Sequence, residues 1–145
     1  MAATIRHIGL VVQDIDTSLK FYSGLIGLPV ASRKIEEGVI IDRVVGIPNV
    51  KLEWAKLRDE SGVILELLHY HSHPERPPCG FYPSNRHGAS HVAFTVNNLD
   101  SLYEELSRRN IHCNSSPQMS SDGKVKVLYC HDPDGIPVEL VEELS

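Results

Sequence analysis

The sequence predicts an α+β fold in which one strand, one helix and three further strands occur twice. Three observations support this fold class: an internal repeat, helical periodicity directly after the first strand of each copy, and short extended segments joined by turns that contain Asp and Gly.

The repeat is visible in two places. "HIGLVVQDIDTSLKFY" from His7 aligns without a gap with "HVAFTVNNLDSLYEEL" from His91, and "RDESGVILELL" echoes "HDPDGIPVELV", which pairs Glu66 with Glu139. Such self-similarity is typical of a duplicated structural unit. We predict a single domain over residues 1–145, with module one over about 4–73, a linker over about 74–88 and module two over about 88–143.

The elements of each module follow from their patterns. Residues 5–12 and 90–96 alternate in polarity, which favours strands. In module one Asp14 or Asp16 can cap a helix, and Gly27 suits its left-handed end. The apolar stripes predicted to pack these helices on their sheets are Ile15, Leu19, Tyr22 and Ile26, then Leu99, Leu102 or Tyr103, and Leu106. The remaining extended segments are Val39–Val45, Val50–Leu57 and Val63–Leu68, then Cys113–Asn114, Lys124–Cys130 and Pro137–Val141.

Composition excludes several function classes. The chain has 145 residues, and its 14 Lys and Arg against 19 Asp and Glu give a net charge of −5. We therefore expect neither nucleic acid nor an anionic membrane as a partner. The start lacks the pattern of a secretion signal, no apolar run reaches the length of about 20 residues that spans a bilayer, and we expect a cytoplasmic protein. The spacing of Cys79, Cys113 and Cys130 indicates idle thiols.

Two histidines and two glutamates occupy equivalent places in the repeat. Side chains alternate across a strand, so His7 should point away from the helix, as should His91 in module two. Glu66 interrupts the apolar strand "VILELL", and Glu139 lies at the matching point of module two. Burying a carboxylate costs several kcal/mol unless it is paired or bound to a cation.

Taken singly, each of these four residues would be interpreted as an ordinary strand residue. Their shared equivalence instead favours a divalent metal site, because two imidazoles and two carboxylates would converge if the modules pair about a pseudo-two-fold axis. The predicted metal ligands are His7, Glu66, His91 and Glu139.

The segment "HYHSH" is the other histidine-rich feature. His69, His71 and His73 are predicted to lie past the end of their strand, in a loop without fixed geometry, and have no counterpart in module two. We interpret them as rim or loop residues, one or two of which could line a substrate entrance.

Four stretches carry a resemblance to a known family: "HIGLVVQDIDTSLKFYSGLIGLPV", "ILELLHY", "GASHVAFTVNNLD" and "HDPDGIPVELVE". They resemble the glyoxalase and vicinal oxygen chelate superfamily across nearly the whole chain. The resemblance implies paired βαβββ modules that form a curled, cleft-bearing mixed sheet with helices on the outside. It also implies one divalent metal ion, which would be nickel, cobalt, zinc, manganese or magnesium, on the four ligands named above.

The resemblance further implies an isomerase or lyase that moves a proton next to a carbonyl through a metal-bound enolate or enediolate, as in lactoylglutathione lyases and acyl-CoA epimerases. Glu139 would be the catalytic base and Glu66 its symmetric alternate. The expected partners are a small carbonyl- or thioester-containing substrate and a second copy of the chain in a homodimer. The alternatives are an extradiol ring-cleaving dioxygenase and a non-catalytic small-molecule-binding or resistance protein.

Overall fold

The computed structural model describes residues 2–75 and 80–145. The chain forms two compact units, one ending at residue 77 and the other beginning at residue 78. Each unit contains one copy of the sequence repeat.

The first unit is a four-stranded mixed sheet with helices. Its elements are β1 (Ile8–Val11), α1 (Ile15–Leu19) continued by a π-helical stretch (Lys20–Leu25), β2 (Val30–Glu37), α2 (Val39–Val45), β3 (Lys51–Arg58) and β4 (Ile64–Tyr70). The sheet order is β1-β4-β3-β2, in which β1 runs parallel to β4 and the other pairs are antiparallel.

The second unit repeats this plan. Its elements are β5 (Val92–Thr95), α3 (Leu99–Arg108), β6 (Gln118–Met119), β7 (Val125–His131) and β8 (Pro137–Glu143), with the sheet order β5-β8-β7-β6. The parallel pair is β5 with β8. The predicted α+β class and the duplicated βαβββ module are therefore confirmed.

The extended segment predicted at Val39–Val45 is wrong, because this stretch is helix α2 and the strand is β2. The β-branched run "VII" favours a strand, but the glycines on both sides decide otherwise. Gly38 and Gly46 adopt φ values of +114° and +75°, so they end β2 and the helix respectively. The Asp42 carboxylate accepts hydrogen bonds from the backbone N–H groups of residues 49 and 50, which ties the helix to the start of β3.

The helix that follows the first strand packs partly as the apolar stripe predicts, because Leu19 and Ile26 are only half-buried while Ser18 and Phe21 are buried beside the two predicted core residues. Ile15 and Tyr22 are fully buried, and Asp14 caps α1 by accepting from the Thr17 N–H at 3.2 Å. Gly27 has φ +94°, the left-handed conformation expected of it. In the second unit Leu99 and Leu106 are buried and Asn98 caps α3.

The end of the predicted linker packs on the second unit. The Phe81 ring stacks on His112 with 4.1 Å between centroids, and the Tyr82 N–H donates to the Gly135 carbonyl. Cys79 lies outside the described residues, whereas Cys113 and Cys130 are free thiols, as expected. Within residues 2–75 and 80–145, none of the helices has the length and apolar character needed to cross a membrane.

Candidate functional site

His7 and Glu66 come together on one face of the first sheet. Gly9 lies in register with Glu66 on the neighbouring parallel strand, and His7, two residues earlier, points to the same side. The distance from His7 Nε2 to Glu66 Oε2 is 2.8 Å. A Cβ at position 9 would approach the Leu68 side chain to 3.0 Å, so glycine keeps this face open beside the pair.

His91 and Glu139 form the same arrangement in the second sheet. Ala93 lies in register with Glu139, and His91 Nε2 is 3.0 Å from Glu139 Oε2. The Ser90 hydroxyl is 3.0 Å from the other ring nitrogen of His91, which fixes the orientation of the imidazole. The repeat therefore places one imidazole and one carboxylate at equivalent points of both sheets.

The two pairs differ in exposure. The side chain of Glu66 is 10% exposed, whereas that of Glu139 is 24% exposed. Glu139 is thus the carboxylate that a small molecule reaches more easily. Each predicted pair lies within one unit, and the meeting of the two pairs in one metal sphere stays a prediction.

Tyr129 is a site residue that the sequence analysis missed. It lies opposite Glu139 on β7, with its hydroxyl 3.4 Å from Glu139 Oε2 and 3.2 Å from His91 Nε2. Burial and the nearby Glu139 charge raise the pKa of Tyr129, which keeps the phenol protonated and able to donate. The equivalent position of the first unit is Lys56, opposite Glu66, so the two halves differ here. The sequence carried no direct signal for this residue, because its place opposite Glu139 depends on the register of β7 with β8.

The interpretation of "HYHSH" as a loop without fixed geometry is wrong for two of its three histidines. His69 lies within β4, and the His71 N–H donates to the Lys51 carbonyl at 2.9 Å, which continues the pairing beyond the strand end. His73 does lie in an exposed turn, with φ +51°.

Glu53 joins these two histidines. It lies opposite His69 on β3 and is 7% exposed, and its Oε2 is 2.7 Å from His71 Nε2. Ligand atoms of Glu53, His69 and His71 all lie within 4.8 Å of one another. Hydrogen bonds from His71 and from Arg33 outweigh the effect of burial and lower the pKa of the Glu53 carboxyl, which therefore stays ionised. The sequence analysis missed Glu53 because its strand lacks a matching acidic residue in module two.

The two His–Glu pairs, His7 with Glu66 and His91 with Glu139, carry donor atoms suited to a divalent cation. Imidazole nitrogen and carboxylate oxygen bind divalent ions at about 2.0–2.2 Å, so neighbouring ligand atoms lie about 3 Å apart in an octahedral sphere and about 3.4 Å apart in a tetrahedral one. The His–Glu separations of 2.8 Å and 3.0 Å, which are also hydrogen-bond distances, are close to the octahedral spacing. Each pair can therefore supply two neighbouring ligands to one ion.

Comparison with known proteins agrees with the duplicated fold. The family model of the glyoxalase/bleomycin resistance protein/dioxygenase superfamily matches residues 4–140. A glyoxalase family protein from Bacillus cereus superposes with a TM-score of 0.90 at 24% identity, covering 100% of this chain and 97% of that chain.

Two curated relatives extend the comparison. The uncharacterized protein YaeR of Escherichia coli (strain K12) is 24% identical over 140 residues, which cover 96% of this chain and 95% of that protein. A lactoylglutathione lyase of Schizosaccharomyces pombe is 27% identical over an alignment of 149 positions, which covers 96% of this chain and 47% of the enzyme. The chain thus spans about half the length of that enzyme.

Proposed function

The chain belongs to the glyoxalase/bleomycin resistance protein/dioxygenase superfamily, and we propose that within it the protein is a divalent-metal-dependent isomerase or lyase that moves a proton next to a carbonyl group. The observation that carries the proposal is the duplicated His–Glu pair, His7 with Glu66 and His91 with Glu139. Such pairs in both modules provide four ligands of two kinds. A His–Glu pair in only one module would be explained by strand packing.

The four side chains would hold the ion, with the two pairs brought together within one chain or across a homodimer. A bound divalent cation supplies positive charge that stabilises negative charge on a substrate oxygen. The ion would be nickel, cobalt, zinc, manganese or magnesium. His7 and His91 would be the nitrogen ligands, and each already lies beside a carboxylate of the same set.

Glu139 is the better candidate for the base that removes and returns the proton. It is more exposed than Glu66, so a substrate carbon can approach its oxygens. The Tyr129 hydroxyl contacts the same carboxylate at 3.4 Å. It can hold the Glu139 carboxylate in place when the contact between Glu139 and His91 changes. Glu66, more deeply buried and without a tyrosine opposite it, is suited to stay a ligand.

The substrate class follows from the reaction. Proton removal is facilitated where the neighbouring carbonyl can accept the charge, as in α-hydroxy-thioesters and acyl thioesters. The similarity to a lactoylglutathione lyase supports this class, although the chain spans only 47% of that relative. We therefore propose a small carbonyl- or thioester-containing molecule as substrate and a cytoplasmic homodimer as the working form.

Solvent deuterium exchange tests the proposal. The purified protein, loaded in turn with each of the five ions, is incubated in D2O with α-hydroxy-thioesters and acyl-CoA substrates, and the label at the α-carbon is measured. At saturating metal, Glu139→Gln should slow exchange by about 10²–10⁴-fold, the usual contribution of a positioned base. Glu143→Gln is the matched control, because Glu143 is an exposed carboxylate on the same face of β8.

Three results would refute the proposal. Absence of exchange with every ion restored would remove the reaction class. Oxygen uptake with catechols and ferrous iron would assign a ring-cleaving dioxygenase instead. Elemental analysis without a metal, together with unchanged small-molecule binding by Glu139→Gln, would assign a non-catalytic binding protein.

A further inference from the structure

We propose that Glu53, His69 and His71 form a second site for a divalent transition-metal ion, separate from the His–Glu pairs of the proposed active site. The ion would be of the zinc class, since two imidazoles and one carboxylate suit zinc-like ions and leave room for water. This inference is independent of the proposed catalytic function.

The backbone already aligns the three ligands. Glu53 and His69 are direct neighbours across β3 and β4, and His71 follows two residues later on the same side of the chain. The two imidazole rings lie 4.0 Å apart between centroids and are tilted by 31°. Their ligand atoms and that of Glu53 fall within 4.8 Å of one another, so small side-chain rotations complete a coordination sphere.

Glu53 is prepared as a ligand by a network behind it. The Arg33 guanidinium donates to Glu53 Oε1 at 2.5 Å and to Asp16 Oδ1 at 2.7 Å. The other oxygen, Oε2, shares a hydrogen bond with His71 Nε2 at 2.7 Å, and an ion would take the place of the proton between these two atoms. Hydrogen bonds from neighbouring side chains to a ligating carboxylate are the usual support of protein metal sites.

The local charge also favours a dication. Asp14 is close enough to His69 to interact with it electrostatically, and Asp16 and Glu53 add two further carboxylates. Among the described residues that contact these carboxylates, the Arg33 guanidinium offsets one of the three charges. With neutral imidazoles the group has a formal charge of minus two, which a divalent ion balances.

The site is distinct from the His7–Glu66 pair because the strand itself separates them. The register of β3 with β4 is continuous, so Glu66 and His69 point to opposite faces of the sheet. In the second module the positions of Glu53 and His69 are taken by Lys126 and Glu142, which cannot form the same ligand group. Lys126 is paired with Asp100, and Glu142 accepts from the Leu99 N–H, so both are already used in packing α3.

Zinc binding by a His7→Gln/His91→Gln protein tests the inference, because this background lacks the imidazoles of the proposed active site. The protein is titrated with Zn²⁺ against a chromophoric chelator, and bound metal is counted by elemental analysis. We expect one ion per chain to remain. Adding His69→Gln and His71→Gln should remove it, and His71→Gln alone should weaken it by at least tenfold.

His73→Asn is the matched control. It removes the third histidine of the same segment, and asparagine tolerates the left-handed backbone found there. Zinc affinity unchanged within twofold in this variant supports the site. Equal losses from His73→Asn and His71→Gln would show adventitious binding to a histidine-rich loop and overturn the inference, as would retention of the ion in the variant that lacks both His69 and His71.

The two proposals fail separately. Loss of exchange activity in the catalytic assay leaves this titration unaffected, and loss of the ion here leaves the exchange reaction of the Glu139 site intact. A Co²⁺-loaded sample of the His7→Gln/His91→Gln protein adds a second readout, since ligation by two imidazoles should produce visible absorption bands that disappear when His69→Gln and His71→Gln are added. Persistence of those bands in the variant would contradict the assignment.

Discussion

Truncation of the two site histidines should affect stability unequally, although the repeat makes them equivalent. His7→Ala removes the partner that lies 2.8 Å from Glu66, whose side chain is 10% exposed. A buried polar group left without its partner costs about 1–3 kcal/mol. The His7 side chain is 36% exposed, so water can partly replace it, and we expect a loss of about 1–2 kcal/mol in the metal-free protein.

The loss from His91→Ala should be smaller. Glu139 is 24% exposed on its side chain and keeps the Tyr129 hydroxyl at 3.4 Å after the imidazole is removed. Ion pairs open to solvent contribute about 0–1 kcal/mol, and we expect a loss within that range. The difference between the two variants should be about 1 kcal/mol.

Urea unfolding of chelator-treated protein at pH 7 measures both losses. A double-mutant cycle with Glu66→Leu isolates the pair, because replacing both members by apolar groups removes the stranded carboxylate and should recover most of the stability lost in His7→Ala. Amide exchange in β4 and β8 assigns each loss to its unit. Equal losses, or a larger loss from His91→Ala, would refute the burial argument.

Three further outcomes are expected. Gly135→Ala should destabilise the protein by about 2 kcal/mol more than Gly62→Ala. Both glycines have positive φ, but a Cβ at position 135 would lie 2.6 Å from the Gly80 carbonyl oxygen, whereas position 62 is open. Urea unfolding midpoints measure the difference, and equal losses would contradict the prediction. Burial lowers the pKa of His131 below its ordinary 6.5, so below that pH the unfolded chain binds more protons and stability should fall on acidification. His131→Phe should flatten that pH dependence in thermal melts, and an unchanged slope would assign it to other groups. Zn²⁺ at 100 times its dissociation constant should raise the free energy of unfolding by about 2.7 kcal/mol per site. Addition of a chelator should remove this stabilisation. An unchanged melting temperature would count against a metal site in the native state.

The fold could be predicted from sequence because its determinants are local and occur twice. Alternation across β1 and β5, the cap at Asp14 and the apolar stripe of α1 each act within a few residues, and the repeat tests every assignment a second time. The test fails where the two copies differ in length. Residues 39–45 were matched with Cys113–Asn114 as extended segments, and their β-branched residues favour a strand. They form helix α2, which its flanking glycines and Asp42 stabilise, and Cys113 makes an isolated bridge to Cys130.

The sequence by itself determined the duplicated module and singled out His7, Glu66, His91 and Glu139, since alternation and the repeat place them on matching strand faces before any contact is known. The structure added that each histidine contacts the glutamate of its own unit. Only the tertiary structure decided their inequality, with Tyr129 beside Glu139 and Lys56 opposite Glu66, and it alone joined Glu53 to His69 and His71. These contacts depend on strand register, which pairs residues far apart in the chain. Register is set by the packing of the whole sheet, so no short stretch of sequence contains it.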